Sequence, residues 1–140
     1  MKQILNGWHN IYTFTKSLTE KSIYQRRGSM PCCIVRPASV GASLSEPFAG
    51  WTDTTSALGG QIYFGGLGIY KYMVGNPNLV LDEVAVDLCI NHILIATCHC
   101  SHFPEKLHVY NHSSSTQNPL TVKRFMSAIN KFNKYYPYDK

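Results

Sequence analysis

The chain has 140 residues, 44% apolar and 15% charged, which suits one modest globular domain and excludes a disordered chain. Its formal charge of +5 is dispersed apart from Arg26-Arg27 and lysines near the C-terminus, and no RNA-binding or zinc-finger motif accompanies it. A small polyanion is therefore as good a partner as nucleic acid.

The opening "MKQILNGWHN" lacks the apolar core of a signal peptide. The five cysteines, an odd number, form no spaced disulfide framework, so a reducing, intracellular compartment is expected. The first element is a helix from Asn10 to about Arg27. Asn10 is an N-cap residue type, and Ile11, Phe14, Leu18 and Ile23 fall near a 3.6-residue period. Arg26 and Arg27 followed by Gly28 form a helix stop. Within it, Tyr12 and Lys16 are four apart and share one face. An ammonium near a phenol favours the phenolate, which suits a tyrosine that exchanges protons. The spacing alone is common: Tyr136 and Lys140 repeat it, although Pro137 disfavours a helix there.

"PCCIVRP" reads as a buried strand over Cys32–Arg36, stopped by Pro37. A Gly-, Ser- and Thr-rich stretch follows, bearing Phe48, Trp51, Tyr63 and Phe64, and reads as a long functional loop. "GGQIYFGGLG" lacks the G-x-G-x-x-G order after a strand and reads as flexible loop backbone. "GLGIYKYMVG" reads as a short helix ending at Gly75, and "EVAVD" as a short strand. "DLCINHILIATC" reads as a buried helix over residues 87 to about 98, capped by Asp87. Asn91 and His92 interrupt its apolar run, which is too short to span a bilayer. A strand over His108–Tyr110 comes next. The last helix runs from Thr121 to about Lys134, with Val122, Phe125, Met126, Ile129 and Phe132 on one face. With no visible boundary, residues 1–140 are expected to form a single partial α/β domain.

Other clusters are weaker. Cys98, His99, Cys100 and His102 are cramped for zinc, and no metal is expected. His9, His92, His108 and His112 have no serine or cysteine partner in a catalytic motif.

Together, "IYTFTKSLTEK", "CCIVRPASVGAS", "EPFAGWTD", "VAVDLCIN" and "VYNHSSSTQNPLT" resemble the fatty acyl-CoA reductases of the extended short-chain dehydrogenase/reductase superfamily. The likeness runs in order from about Trp8 to Phe132. It implies a partial NAD(P)-binding Rossmann-like fold, the second half of the domain. It also implies NADPH reduction of long-chain fatty acyl-CoA to a primary alcohol. Tyr12 would be the proton donor and Lys16 would hold the nicotinamide ribose. Pro37, Ala38, Ser39 and Val40 would line the nicotinamide pocket, and the "EPFAGW" loop would wall the acyl or CoA site. The family is often associated with peroxisomal or endoplasmic reticulum membranes; no span and no nucleic-acid partner are expected in this chain. The family's glycine-rich pyrophosphate turn and its upstream serine or threonine have no counterpart before Tyr12. The chain alone is therefore expected to be inactive, with "CCIVR" an exposed strand edge. Two alternatives remain open: a non-catalytic remnant that binds acyl-CoA or protein, and another extended short-chain dehydrogenase, which the "EPFAGW" loop disfavours.

Overall fold

The computed structural model describes residues 7–53, 57–70, 72 and 74–137. Helix α1 spans Ile11–Arg26. Asn10 caps it from an extended backbone, its Oδ1 accepting from the Thr13 N–H at 2.8 Å. Gly28, at φ +57°, takes the left-handed turn past the helix end. Lys140, in the alternative Tyr136/Lys140 pair, lies outside the described residues.

Strand β1 (Cys32–Pro37) pairs with β5 (Leu107–His112). Strand β2 (Ser39–Gly41) runs parallel to β4 (Glu83–Ala85), with Val40 opposite Val84. Strand β3 (Val80–Leu81) is antiparallel to β6 (Leu120–Thr121). The helices α2 (Ala57–Gly66), α3 (Val86–His102) and α4 (Val122–Tyr135) complete an α/β arrangement.

The chain forms two compact units, Met1–Val35 with Ile95–Tyr110, and Arg36–Leu94 with Asn111–Lys140. In the first, the Arg27 guanidinium donates to the Pro104 and Glu105 carbonyls at 3.1 and 2.5 Å, tying the end of α1 to the turn before β5. Among its described residues, Ala96 and Cys100 are buried. In the second, Leu58, Phe125 and Ile129 form the core, with Leu81, Leu120 and Met126 against them. Helix α2 packs on both β2 and α4.

Four expectations are corrected. The glycine-rich "ALGGQIYFGG" is a helix, not a flexible loop. Each interior glycine costs roughly 1 kcal/mol of helix propensity, but Leu58 is buried in the core and Gly65 lies against Ile129, so packing offsets that cost. The helix expected in "GLGIYKYMVG" is not seen among its described residues; positions 71 and 73 lie outside them. Helix α3 begins at Val86 and is not buried throughout: Cys89, Ala96 and Cys100 are covered, whereas Ile90, Leu94 and Ile95 are exposed. In α4 the expected face holds at Phe125, Met126 and Ile129, but Phe132 is half exposed, one turn beyond the core.

Candidate active site

The i, i+4 geometry of α1 brings Tyr12 and Lys16 together. The Lys16 ammonium lies 5.6 Å from the centroid of the Tyr12 ring, within cation–π range. Tyr12 is 68% exposed, so this face is open to a ligand. Among the described residues, the ring contact is the one interaction these two side chains make, which leaves a phenol O–H and an ammonium available to oxygen acceptors.

Tyr12 and Lys16 belong to the first unit and Pro37–Val40 to the second. Pro37 ends β1. The Ala38 N–H donates to the His112 carbonyl at 2.8 Å, and the Ser39 N–H to the Asp82 carbonyl at 3.1 Å. The segment is thus held between the end of β5 and the start of β4, at a strand terminus where α/β ligands bind.

The loop that follows is ordered by two side chains. Buried Ser43 donates its hydroxyl to the Phe48 carbonyl at 2.6 Å and accepts from the Trp51 N–H at 3.2 Å, closing "SLSEPFAGW" on itself. Asp87, expected as the cap of its own helix, sits in the first turn of α3 and reaches back. Its carboxylate accepts from the N–H groups of Leu44, Ser45 and Glu46 at 2.9, 2.9 and 3.1 Å, and from the Ser45 hydroxyl. These donors, Leu44 first, hold its carboxyl well below the usual carboxylate range. Asp82 clamps "HSSST" by hydrogen bonds, accepting from the N–H groups of Ser114 and Ser115 at 2.9 and 3.2 Å.

Between these clamped turns lies a cavity of about 510 Å³, lined among others by Leu44, Glu83, Leu88, His112 and Arg124. Burial raises the Glu83 carboxyl above its ordinary range. It lies over Gly41, where any side chain would overlap it. Burial, and then the His92 ring at 4.7 Å, lower His112. Sequence reasoning missed Glu83, His112 and Arg124 in this role, because no spacing rule links three residues from three elements. The one available signal was an acidic and a basic residue in segments that follow strands.

The "TCHCSH" residues serve the fold. His102 Nδ1 lies 2.8 Å from the Cys98 carbonyl, and the Cys100 thiol donates to the Thr97 carbonyl at 3.2 Å. His99 Nδ1 lies 2.7 Å from the Tyr110 hydroxyl. In β1, burial and then the neighbouring Cys100 thiol push the Cys33 thiol up.

The donor set fits one side of a nicotinamide cofactor: an exposed ammonium for ribose hydroxyls and a phenol beside it. The family model described as "Male sterility protein", an NAD-binding family, matches residues 1–93. "Putative fatty acyl-CoA reductase 7" of Arabidopsis thaliana is 34% identical over 129 residues, 91% of this chain and 31% of that protein. "Fatty acyl-CoA reductase 2" of Homo sapiens is 34% identical over 118 residues, 84% of this chain and 23% of that one. "Alcohol-forming fatty acyl-CoA reductase" of Simmondsia chinensis is 27% identical over 127 residues, 90% of this chain and 26% of that protein. The chain therefore spans between a fifth and a third of the length of the curated relatives it matches. With a nicotinamide-binding family model covering most of its length and Tyr12 beside Lys16 on an open helix face, the chain belongs to the male sterility protein family of NAD-binding domains.

Proposed function

We propose that this chain contributes the proton-donor side of an NADPH-dependent fatty acyl-CoA reductase that forms primary alcohols. The observation that carries the reading is the Tyr12–Lys16 contact at 5.6 Å, on an exposed face, in a chain of this family. The nicotinamide supplies hydride to the carbonyl carbon. Tyr12 gives its phenolic proton to the oxygen that gains charge, and Lys16 stabilises the phenolate left behind. Lys16 also donates to the ribose hydroxyls, and backbone groups of Pro37, Ala38, Ser39 and Val40 wall the nicotinamide ring. The clamped Leu44–Trp51 loop shields the reacting carbon from water.

The net charge of +5 supports a phosphate-rich cofactor such as NADPH and a substrate such as long-chain acyl-CoA. The described cysteines are free thiols, which suits a reducing intracellular compartment. The test is Tyr12→Phe in a full-length reductase carrying this segment. Removing only the proton donor should lower kcat by roughly 10²- to 10⁴-fold with little change in NADPH affinity. An unchanged kcat rejects the assignment.

A further inference from the structure

The connection from α1 to β1 carries "RRGS", Arg26 to Ser29, which the proposed chemistry does not use. Ser29 stands in an exposed turn, and its hydroxyl makes no hydrogen bond among the described residues. Arg26, three positions earlier, is exposed in the last turn of α1 and also has no partner among the described residues. Arg27 is occupied, but only by neutral acceptors. Its guanidinium donates to the Met30 carbonyl at 3.3 Å and to the Pro104 and Glu105 carbonyls at 3.1 and 2.5 Å. The Met30 N–H closes the turn on the Arg27 carbonyl at 3.0 Å. Gly28 lies between them at φ +57°, and without a Cβ it can pass to an extended form at little steric cost.

These features suit a protein kinase that selects substrates by positive charge. Such an enzyme needs guanidiniums at fixed offsets before a hydroxyl, on a chain that can extend into its cleft. Spacing alone does not supply this. Arg124 stands three positions before Ser127 in the same way, but Ser127 lies inside α4, where the backbone is committed to helix. Ser29 has both the charge and a turn that opens.

We infer that Ser29 is a phosphorylation site for a kinase that reads paired arginines, and that its phosphate draws Arg27 away from the turn before β5. In the transfer, Ser29 Oγ bonds to the γ-phosphorus of ATP while the bond from that phosphorus to the β–γ bridging oxygen breaks. ADP leaves, and the hydroxyl proton passes to the kinase's base. The product carries about −1.5 to −2 charge, two and three positions from the two arginines. The C-terminal end of α1 repels it with only about half an elementary charge, so two full guanidinium charges prevail. A phosphate oxygen is also a stronger acceptor than a carbonyl, which decides the competition for Arg27. The tie from the end of α1 to Pro104 and Glu105 is then lost, on the helix whose first turns carry Tyr12 and Lys16. The inference goes beyond the reductase reading and does not rest on it.

The test treats the 140-residue chain with ATP and the catalytic subunit of cyclic-AMP-dependent protein kinase, then maps phosphopeptides by mass spectrometry. Phosphate should enter at Ser29 and be lost in Ser29→Ala, which removes an exposed hydroxyl that supports nothing in the fold. Arg26→Gln should slow incorporation by roughly tenfold or more, the loss of one charge-assisted contact. Phosphorylation should then speed amide exchange over residues 105–107 by roughly tenfold. Arg27→Gln should show that faster exchange without phosphate and gain nothing further once phosphorylated. No incorporation at Ser29 overturns the inference. So does phosphate entering Ser127 as fast as Ser29, because the kinase would then be reading spacing in unfolded chain. Unchanged exchange in the phosphorylated chain overturns the capture of Arg27. No hydride transfer is measured, so failure here is separate from failure of the Tyr12→Phe test.

Discussion

Asp87 keeps its charge because three consecutive backbone N–H groups, those of Leu44, Ser45 and Glu46, point at one carboxylate. Its folded-state titration lies below the unfolded one, so its contribution is present above the ordinary carboxylate range of about 4 and is lost as pH falls through the depressed folded value. Asp87→Ala should therefore speed amide exchange at residues 44–46 and lower Tm at pH 7, with the Tm difference shrinking in acid. An unchanged exchange rate refutes the clamp. Glu83 has the opposite sign. Burial raises its folded titration, so the folded state resists ionisation and loses stability as pH rises from about 4 through the raised value. Glu83→Gln should raise Tm at pH 7 and leave it nearly unchanged at pH 3; a lower Tm at both would show that the carboxylate is needed as a charge.

Helix α4 shows how a local signal and a tertiary contact combine. Thr121 accepts from the Arg124 N–H at 3.2 Å, so Thr121→Ala should cost about 1 kcal/mol in denaturant unfolding. Phe125 is 6% exposed in the core with Leu58 and Ile129, so Phe125→Ala should cost about 3–5 kcal/mol. Equal losses at the two sites would contradict this division between a cap in water and a ring in the core. Helix α3 is the contrary case. Its apolar residues occur all round the helix, so no polar face marks the side that meets water, and Ile90, Leu94 and Ile95 end up 50%, 63% and 68% exposed.

For the molecule as a whole, these 140 residues contain no glycine-rich turn of the G-x-G-x-x-G kind after a strand. Pyrophosphate amides and a helix dipole supply much of a dinucleotide's affinity, and near-attack geometry needs the ring held in place. The purified chain with NADPH and palmitoyl-CoA should therefore show no sustained loss of nicotinamide absorbance and no alcohol product. Steady oxidation with alcohol formed would show that the residues present complete a site. The exposed apolar side chains of α3 should also make the chain bind a hydrophobic dye and scatter light increasingly with concentration.

The sequence by itself determined α1, from the Asn10 cap and the arginine–glycine stop, and α4, from its apolar face and Thr121. It also determined the Tyr12–Lys16 pairing, because all of these depend on residues within four positions of one another. The strands of "CCIVR" and "LHVYN" were legible for the same reason, as short apolar or alternating runs. Only the tertiary structure decided that "ALGGQIYFGG" is a helix, since its stability comes from contact with β2 and α4 rather than from glycine. It likewise decided that Asp87 serves a loop more than forty residues earlier as well as the Leu88 N–H of its own helix, and that Glu83, His112 and Arg124 share a cavity. A carboxylate goes where the most N–H donors converge, and that convergence exists only after distant segments have been brought together.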